Sequence, residues 1–369
     1  MKPKFVSGRA NLALTIMVPF DCPNHCPFCE SKKEYGKNRP SLDGVINAIK
    51  HFYRDNNTLD VPEVVITGGE PMANITALRK IINVIPANRD VYINTTLLKR
   101  NFADFCDLVN NNPQIKGISV SRHGYDYDDD CEMLRGIAPD HWLSKIKKSI
   151  RINCVVNNNT NIYEILDRWV QHHNVELSLR ENFNTMTLGE LHNPYSGHLP
   201  RLATELEYVG HTQCKVCDTT TFRVKESDTL VRYHKGIKNT LVTLGNDKYE
   251  INDIIVRQDG QIFCDWDFTN KTLLPTQLLH DGTKELMARS RERMMEIATT
   301  PTYSCGGIAC TNGNPYPYSE SYLSCGGVGG CGGGIVYTPR LSCGGGGTCG
   351  GGMGCGGYGT CGGNYSGRC

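Results

Sequence analysis

The fold of this chain is constrained most by an alternation of short apolar runs and longer amphipathic stretches, from about residue 10 to residue 181. The short runs have the length and β-branched content of buried strands, and the stretches between them carry apolar residues at helical spacing. The predicted strands are Leu12–Val18, Glu63–Thr67, Asp90–Thr95, Gly117–Ser121, Arg151–Val156 and Val175–Arg180. This repeated order predicts an α/β fold in which helices surround a parallel sheet, as a closed or a partial barrel.

The amphipathic stretches predict helices between these strands. The first has a predicted N-cap at Ser41. The apolar positions of the helices fall within Val45–Tyr53, Ile75–Ile82, Phe102–Val109, Trp142–Ile150 and Ile162–Val170. Residues 182–208 are predicted to be a polar connection. Beyond them the sequence predicts a strand, a turn and a closing helix, at Ile251–Arg257, Asp259–Gly260 and about Thr283–Ala298.

Length and charge limit the classes of protein that this chain can be. A chain of 369 residues is long enough for about two domains, and the pattern divides it into a core (1–205), a smaller module (206–300) and a tail (301–369). The 39 basic and 38 acidic residues are spread along the chain, so neither nucleic acid nor an anionic membrane is expected as a partner. Without an apolar secretory signal or a membrane-spanning run, a cytoplasmic location is expected.

The tail differs sharply from the rest of the chain in composition. It holds nine of the 18 cysteines and 24 of the 39 glycines, with almost no aliphatic residues. Such a segment lacks an apolar core, so we expect it to be disordered unless a metal or covalent crosslinks hold it. The preceding three hundred residues or so have ample apolar sequence, which argues against a small disulfide scaffold. Reduced thiols that serve as metal ligands fit the chain better.

Two motifs follow the first two predicted strands directly. Cys22, Cys26 and Cys29 share one short loop, and Gly68-Gly69-Glu70-Pro71 comes after the second strand. In barrels of parallel strands the functional residues gather at the carboxyl ends of the strands, where both motifs fall. Three thiolates are one ligand short of a closed four-cysteine site, so an iron–sulfur cluster bound here keeps one iron open. A zinc site or a coincidental set of loop cysteines is the alternative, although zinc usually needs a nearby fourth ligand.

The Cys-x-x-x-Cys-x-x-Cys loop, with the aromatic Phe28 before its last cysteine, resembles the cluster loop of the radical S-adenosylmethionine enzymes. The resemblance covers about residues 10–181 and implies a partial (β/α)6 TIM-like barrel. It also implies that Cys22, Cys26 and Cys29 bind a [4Fe-4S] cluster whose fourth iron takes the amino and carboxylate groups of S-adenosylmethionine. In that family the cofactor is cleaved to a 5′-deoxyadenosyl radical, which abstracts hydrogen from a substrate.

The same resemblance implies which other residues contact the cofactor. The Gly-Gly-Glu-Pro element resembles the family's turn that receives the methionine amino group, and residues at three further strand ends match contact positions. The implied cofactor-binding residues are Phe28, Gly68, Gly69, Glu70, Thr95, Ser121 and Asn153. For Thr95, Ser121 and Asn153 a plain strand-end capping role is the alternative, and His123 and Arg180 are further candidates for substrate contact.

The second module carries a further set of cysteines. Cys214-x-x-Cys217, followed by an Asp-Gly turn and Cys264, resembles the SPASM or twitch extensions and the molybdenum-cofactor cyclase. That resemblance implies an auxiliary iron–sulfur cluster with Cys214, Cys217 and Cys264 as ligands. The spacing before Cys264 is longer than in the cyclase, and zinc or unliganded thiols are the alternatives.

Three functions remain open on the sequence. The first is an enzyme that modifies a glycine- and cysteine-rich peptide, with the tail as an in-cis substrate or a mimic of one. The second is a small-molecule radical enzyme resembling the molybdenum-cofactor cyclase, which ranks lower because the second module shows no phosphate-cradling loop or basic cluster. The third is a non-catalytic metal-binding protein. Either enzyme would need a reducing partner such as flavodoxin or ferredoxin.

Overall fold

A computed structural model describes residues 4–7, 12–24, 26–29, 31, 39–55, 63–123, 137–157, 159–225, 227–246 and 248–266, and the residue pairs 304–305 and 308–309. All six strands predicted for the core are confirmed, and a short strand β1 (Lys4–Ser7) precedes them. They are β2 (Leu14–Val18), β3 (Glu63–Gly68), β4 (Asp90–Thr95), β5 (Ile115–Ser121), β6 (Ser149–Val156) and β7 (Glu176–Glu181). Strands β2 to β7 lie side by side in sequence order, each parallel to the next.

Helices follow the strands as the apolar spacing predicts. They are α1 (Leu42–Asp55), α2 (Ile75–Asn83), α3 (Phe102–Asn111), α4 (Pro139–Lys145) and α5 (Ile162–Leu166), which continues as π-helix through Asp167–His172. The predicted cap at Ser41 is confirmed, because its hydroxyl accepts the Gly44 N–H at 3.0 Å. The fourth helix was predicted to reach Ile150, but it ends at Lys145, and Ile150 belongs to strand β6.

The connection predicted for residues 182–208 is partly helical. It contains α6 (Leu188–Leu191) and α7 (Leu199–Glu205), each with one face buried through Leu191 or Leu199 and Leu202. A capping box at Thr187 and Glu190 begins α6, which explains a helix in so polar a segment.

The sheet continues into the second half of the chain. Strands β8 (Glu207–Gln213), β9 (Cys217–Arg223) and β10 (Leu230–Gly236) extend it beyond β7, with β10 parallel to β7 and antiparallel to β9. The sheet therefore crosses the predicted boundary between the core and the second module. The division into domains remains a prediction.

The remaining strands complete the other edge. Strands β11 (Val242–Gly245) and β12 (Lys248–Ile251) form a small sheet with β1, and β13 (Ile254–Val256) and β14 (Ile262–Phe263) continue from β2. The single strand predicted for Ile251–Arg257 is therefore wrong, because the chain leaves one sheet at Ile251 and joins another at Ile254. The large sheet has 11 strands ending in β14 and β8, with no hydrogen-bonded closure between them in the described residues.

The core lies between the helices and one face of the sheet. Strand residues such as Ile66, Ile93 and Ile152 are fully buried there, together with Phe52 and Leu78 from the helices. Burial of this apolar face supplies the main driving force for the fold. No helix in the described residues is long and apolar enough to cross a membrane.

Two predictions fall outside the described residues. The helix expected near residues 283–298 lies there, and so does the tail, apart from the strand pair β15 (Ser304–Cys305) and β16 (Ile308–Ala309). The expectation of a disordered tail stays a prediction.

Candidate functional site

The cysteine loop leaves the sheet at the carboxyl end of β2, as the sequence predicts. Cys22, Cys26 and Cys29 are reduced and half-buried. The loop turns tightly at its end, where the Cys29 N–H donates to the Cys26 carbonyl at 3.1 Å. At its start the Asp21 carboxylate accepts the Cys22 N–H at 2.9 Å. Three thiols therefore lie on one short loop at the edge where the parallel strands end.

The pKa of the Cys22 thiol reflects its burial and the charged groups around it. Burial raises the pKa of the Cys22 thiol to about 12, although a hydrogen bond with the Asn24 backbone lowers it. The negative charges of Glu70, Cys26 and Cys29 add to the increase. These acidic groups are thus within electrostatic reach of one another.

The thiols do not form a finished metal cage. In the part of the chain that the structure describes, no three histidine, cysteine, aspartate or glutamate side chains converge closely enough to hold a metal ion. Metal binding removes the protons of thiol ligands and orders the site around the metal. The donor set of three neighbouring thiols suits an iron–sulfur cluster chemically, and the bound group would fix its final geometry.

The backbone geometry at the end of β3 requires glycine at position 68. Its φ is +106°, and a Cβ at this position would lie 2.6 Å from the Val18 backbone nitrogen. Only glycine combines this backbone conformation with so close an approach to the neighbouring strand. The Gly68 carbonyl also accepts the Ser31 hydroxyl at 2.9 Å. The glycine turn is thereby held against β2 and against the segment that follows the cysteine loop.

Replacing Gly68 with alanine is expected to lower the free energy of unfolding by about 3 kcal/mol, from the strained φ and the backbone clash together. Gly245 also has a positive φ but open space around its Cβ position, so Gly245→Ala should show the backbone strain alone. Gly189 has open space and no such φ and lies within α6, so Gly189→Ala is the control that should not lower stability. Urea unfolding measures all three. Equal effects for Gly68→Ala and Gly245→Ala would contradict the close approach.

Glu70 is almost completely buried and is held by its own chain. One carboxylate oxygen accepts the Met72 N–H at 2.9 Å and the Thr95 hydroxyl at 2.5 Å. The other accepts the Thr96 N–H at 2.8 Å and the Thr96 hydroxyl at 2.6 Å. These four donors fill the usual acceptor positions of a carboxylate. The carboxylate thereby joins the ends of β3 and β4, and the cofactor contact that the sequence predicts for Glu70 stays a prediction.

Thr95 is occupied in the same way. Its hydroxyl donates to Glu70 and accepts the Leu97 N–H at 3.1 Å, so the hydroxyl of this predicted cofactor contact is hydrogen-bonded within the chain.

A buried arginine that the sequence reasoning missed holds the end of the next strand, β5. The Arg122 guanidinium donates to the carbonyls of Thr96 at 2.9 Å and Ser121 at 2.6 Å. The one sequence signal for Arg122 is its position directly after the predicted strand that ends at Ser121.

Ser121 and Asn153 lie opposite each other at the ends of neighbouring strands. The Asn153 carbonyl accepts the Arg122 N–H at 3.0 Å. Its side-chain oxygen Oδ1 is buried and has no hydrogen-bond partner among the described residues. A buried acceptor without a donor costs free energy, so Asn153 is suited to receiving a donor from a bound molecule.

Phe28 connects the cysteine loop to the strands across the sheet. Its ring packs edge-on against His123 with centroids 4.7 Å apart, and its carbonyl accepts the Asn184 side-chain amide at 3.3 Å. His123 Nδ1 accepts the Val155 N–H at 3.1 Å, so the proton of the neutral ring resides on Nε2. Burial, together with the charge of Arg122, lowers the pKa of His123 to about 3 and keeps the ring neutral.

The three cysteines of the second module lie in two places in the structure. Cys214 and Cys217 form a disulfide at the start of β9, and such a pair ligates metal only after reduction. Cys264 is buried after β14, where burial, and then Asp253 and Asp265, raise the pKa of its thiol to about 12. Within the described residues the pair and Cys264 do not converge as three metal ligands. Their joint ligation of a cluster stays a prediction.

Comparison with known proteins finds similar chains among solved structures. No protein-family model and no curated protein sequence matches this chain. Among solved structures, it is similar to SuiB of Streptococcus suis bound to the precursor peptide SuiA, at 15% identity and a TM-score of 0.47, over 75% of this chain and 66% of that one. For SuiB bound to S-adenosylmethionine the identity is 18% and the TM-score 0.35, over 47% and 41%.

The chain covers only part of SuiB, and the sequence identity is low. SuiB without a named ligand matches at 13% identity and a TM-score of 0.44. The chain spans less than two thirds of SuiB in each comparison, with 41%, 66% and 62% covered. Because these three TM-scores are below 0.5, the function is inferred from the residues of this chain.

Proposed function

We propose that this chain is a radical S-adenosylmethionine enzyme that acts on a glycine- and cysteine-rich peptide. The observation that carries the proposal is the juxtaposition of two motifs at the ends of adjacent parallel strands. The loop with Cys22, Cys26 and Cys29 follows β2, and the turn at Gly68 follows β3 and packs on the backbone of β2.

The three thiols would hold three irons of a [4Fe-4S] cluster and leave the fourth iron for S-adenosylmethionine. When bound, the cluster supplies the electron that cleaves the cofactor, and the resulting 5′-deoxyadenosyl radical takes a hydrogen atom from the substrate. The backbone at Gly68 and Gly69 would receive the methionine end of the cofactor. Glu70 and Thr95 would act as positioning residues, because their oxygen atoms are already hydrogen-bonded to the chain.

On the other side of the site, Ser121 and Asn153 would contact the bound cofactor. The unpartnered Oδ1 of Asn153 supports this assignment for that residue. Phe28 would order the loop over these strand ends through its contact with His123. The electron would come from a reducing partner such as flavodoxin or ferredoxin.

A peptide substrate is proposed from the composition of the tail. Residues 301–369 combine 24 glycines with nine cysteines, whose α- and β-hydrogens are suitable for abstraction. The proposal keeps an auxiliary iron–sulfur cluster at Cys214, Cys217 and Cys264 on the condition that the disulfide is reduced first.

The test is anaerobic reconstitution of the full chain with iron, sulfide and a thiol reductant, followed by S-adenosylmethionine and dithionite. We expect release of 5′-deoxyadenosine and a loss of hydrogen mass in peptides from residues 301–369. A chain ending at residue 300 is the control and should lose the coupled turnover. Release of 5′-deoxyadenosine with an unchanged tail mass would contradict the tail as substrate and favour a small molecule. Metal uptake without any release would favour the non-catalytic alternative.

A further inference from the structure

The two ends of the cysteine loop are bound by one residue from the second half of the chain. The loop leaves β2 after Val18 and leads into α1 through its cap at Ser41. The side-chain amide of Gln258 donates to the Val18 carbonyl at 3.1 Å, and the backbone carbonyl of Gln258 accepts the Ser41 N–H at 2.8 Å. Gln258 therefore bridges the start and the end of the segment that carries the three loop cysteines.

Strand pairing places Gln258 at the edge of the sheet where the cysteine loop begins. Strand β13 runs parallel to β2, with Val256 opposite Ile16. Because parallel strands end at the same edge, Gln258 lies beside the carboxyl end of β2. Gln258 is 3% exposed and Val18 is fully buried, so water has little access to the hydrogen bond between them.

The turn that carries Gln258 is held by its own hydrogen bonds. The Arg257 N–H donates to the Gln261 carbonyl at 2.8 Å, and the Gly260 N–H donates to the Arg257 carbonyl at 2.9 Å. The Asp259 carboxylate accepts the Gln261 N–H at 3.0 Å. These bonds close the turn between β13 and β14, which gives Gln258 a rigid support.

The same turn packs backbone to backbone against the first turn of α1. A Cβ at Gly44 would lie 2.7 Å from the Asp259 carbonyl oxygen. A Cβ at Gly260, whose φ is +83°, would lie 2.4 Å from the Gly44 backbone. Glycine is therefore required on both sides of this contact. The contact fixes the turn relative to α1, so the two hydrogen bonds of Gln258 set the distance between the ends of the loop.

The Val18 backbone is approached from both neighbouring strands. On the β3 side, a Cβ at Gly68 would lie 2.6 Å from the Val18 nitrogen, and on the β13 side Gln258 binds the Val18 carbonyl. Cys22 follows only four residues after Val18. A shift of Val18 would therefore move the start of the cysteine loop relative to the glycine turn.

We propose that Gln258 is a positioning residue that joins the two ends of the cysteine loop and thereby prepares the loop to bind a [4Fe-4S] cluster. A loop whose ends are already held loses less conformational entropy when it binds. Hydrogen bonds that orient metal ligands also tune the metal group that the ligands hold. This inference rests on the proposed radical function and gives the second half of the chain a part in retaining the cluster.

Gln258→Met tests the hold on the loop, because methionine keeps the length of the side chain and removes the donor to Val18. The hydrogen bond between Ser41 and the backbone of residue 258 remains, so only one end of the loop is released. Hydrogen exchange is measured by mass spectrometry on the full, reduced, metal-free chain. Peptides that span residues 19–29 should exchange roughly tenfold faster than in the native chain, whereas peptides from β4 and β5 should not change.

Gln114→Met is the matched control. The Gln114 amide also donates to backbone carbonyls, those of Ile85 and Pro86, but it lies at the amino end of the strands, directly before β5. This variant should lower the urea midpoint by an amount similar to that of Gln258→Met and leave exchange in residues 19–29 unchanged. Gln261→Met, at an exposed position of the same turn as Gln258, should alter neither quantity.

The second measurement concerns the cluster itself. Chains that carry Cys214→Ala and Cys217→Ala are reconstituted, reduced with dithionite and mixed with an iron chelator, and the [4Fe-4S] signal is followed by electron paramagnetic resonance. Gln258→Met should lose the signal roughly tenfold faster and show shifted g values, whereas Gln114→Met should match the native chain. Gln258→Asn, which keeps the amide on a shorter side chain, should fall between the two.

The outcomes separate this inference from the proposed function. Unchanged exchange of residues 19–29 in Gln258→Met, or an equal change in Gln114→Met, would overturn the positioning role whether or not a cluster forms. Faster exchange with an unchanged rate of signal loss would also overturn it, because the ends of the loop would then not influence the cluster. Faster exchange in a chain that never forms a cluster would support the hold on the loop and contradict the radical function.

Discussion

Replacing Cys22, Cys26 and Cys29 together with alanine is expected to abolish release of 5′-deoxyadenosine from the reconstituted chain. The three residues supply all the thiols of the loop at the carboxyl end of β2. Without a cluster, no electron reaches the sulfonium bond. The product is quantified by chromatography after anaerobic incubation with dithionite, and iron and sulfide are counted in the same samples.

The matched controls are cysteines that face the helical core. Cys106 on α3 and Cys154 on β6 are buried among apolar residues, away from the loop. Cys106→Ala and Cys154→Ala should keep the full iron content of the loop site and release 5′-deoxyadenosine within about twofold of the native chain, because such positions usually affect packing only. Release by the triple variant at the native rate would contradict a catalytic cluster at these cysteines.

Replacing Glu70 with alanine is expected to lower the free energy of unfolding by about 4 kcal/mol, because four buried donors lose their acceptor together. The same change should free the ends of β3 and β4, which the Glu70 carboxylate joins through Thr95 and Thr96. Under the proposed positioning role, affinity for S-adenosylmethionine should therefore fall together with stability. Urea unfolding and equilibrium binding of the cofactor measure the two effects.

Glu70→Gln separates positioning from direct contact. The amide keeps the size of the side chain and one acceptor oxygen, so about half of the hydrogen bonds survive and stability should fall by roughly half as much. Cofactor affinity should follow stability across the two variants. Glu207→Ala, at an exposed position on β8, is the control with an expected change below about 0.5 kcal/mol. Full stability with lost cofactor binding in Glu70→Gln would instead indicate a direct contact.

Local sequence patterns predicted the central sheet well. The six core strands have β-branched apolar runs that fit only a buried sheet, and the intervening helices follow from 3.6-residue spacing and from a cap such as Ser41. The positions of the two motifs follow as well, since parallel strands end on the same edge. These features depend on residues close together in the chain.

Features that depend on distant residues were not predictable in this way. The hydrogen bonds of Gln258 to both ends of the cysteine loop require β13 to pair with β2, which no local pattern encodes. The four hydrogen bonds that the Glu70 carboxylate accepts depend on how the ends of β3 and β4 meet. The helices within residues 182–208 were missed because turn signals outweighed a short capping box at Thr187. In the first two cases tertiary contacts determine the arrangement, whereas in the third a local signal was outweighed.

The central claim is that three thiolates at the end of β2 leave one iron open for S-adenosylmethionine. The most direct measurement is the electron paramagnetic resonance spectrum of the dithionite-reduced, reconstituted chain before and after the cofactor is added, with Cys214→Ala and Cys217→Ala in place so that only the loop site contributes. Binding of the cofactor to the open iron should change the g values of a [4Fe-4S] signal. A cluster spectrum that stays the same at saturating cofactor, or no cluster signal at all, would contradict the claim.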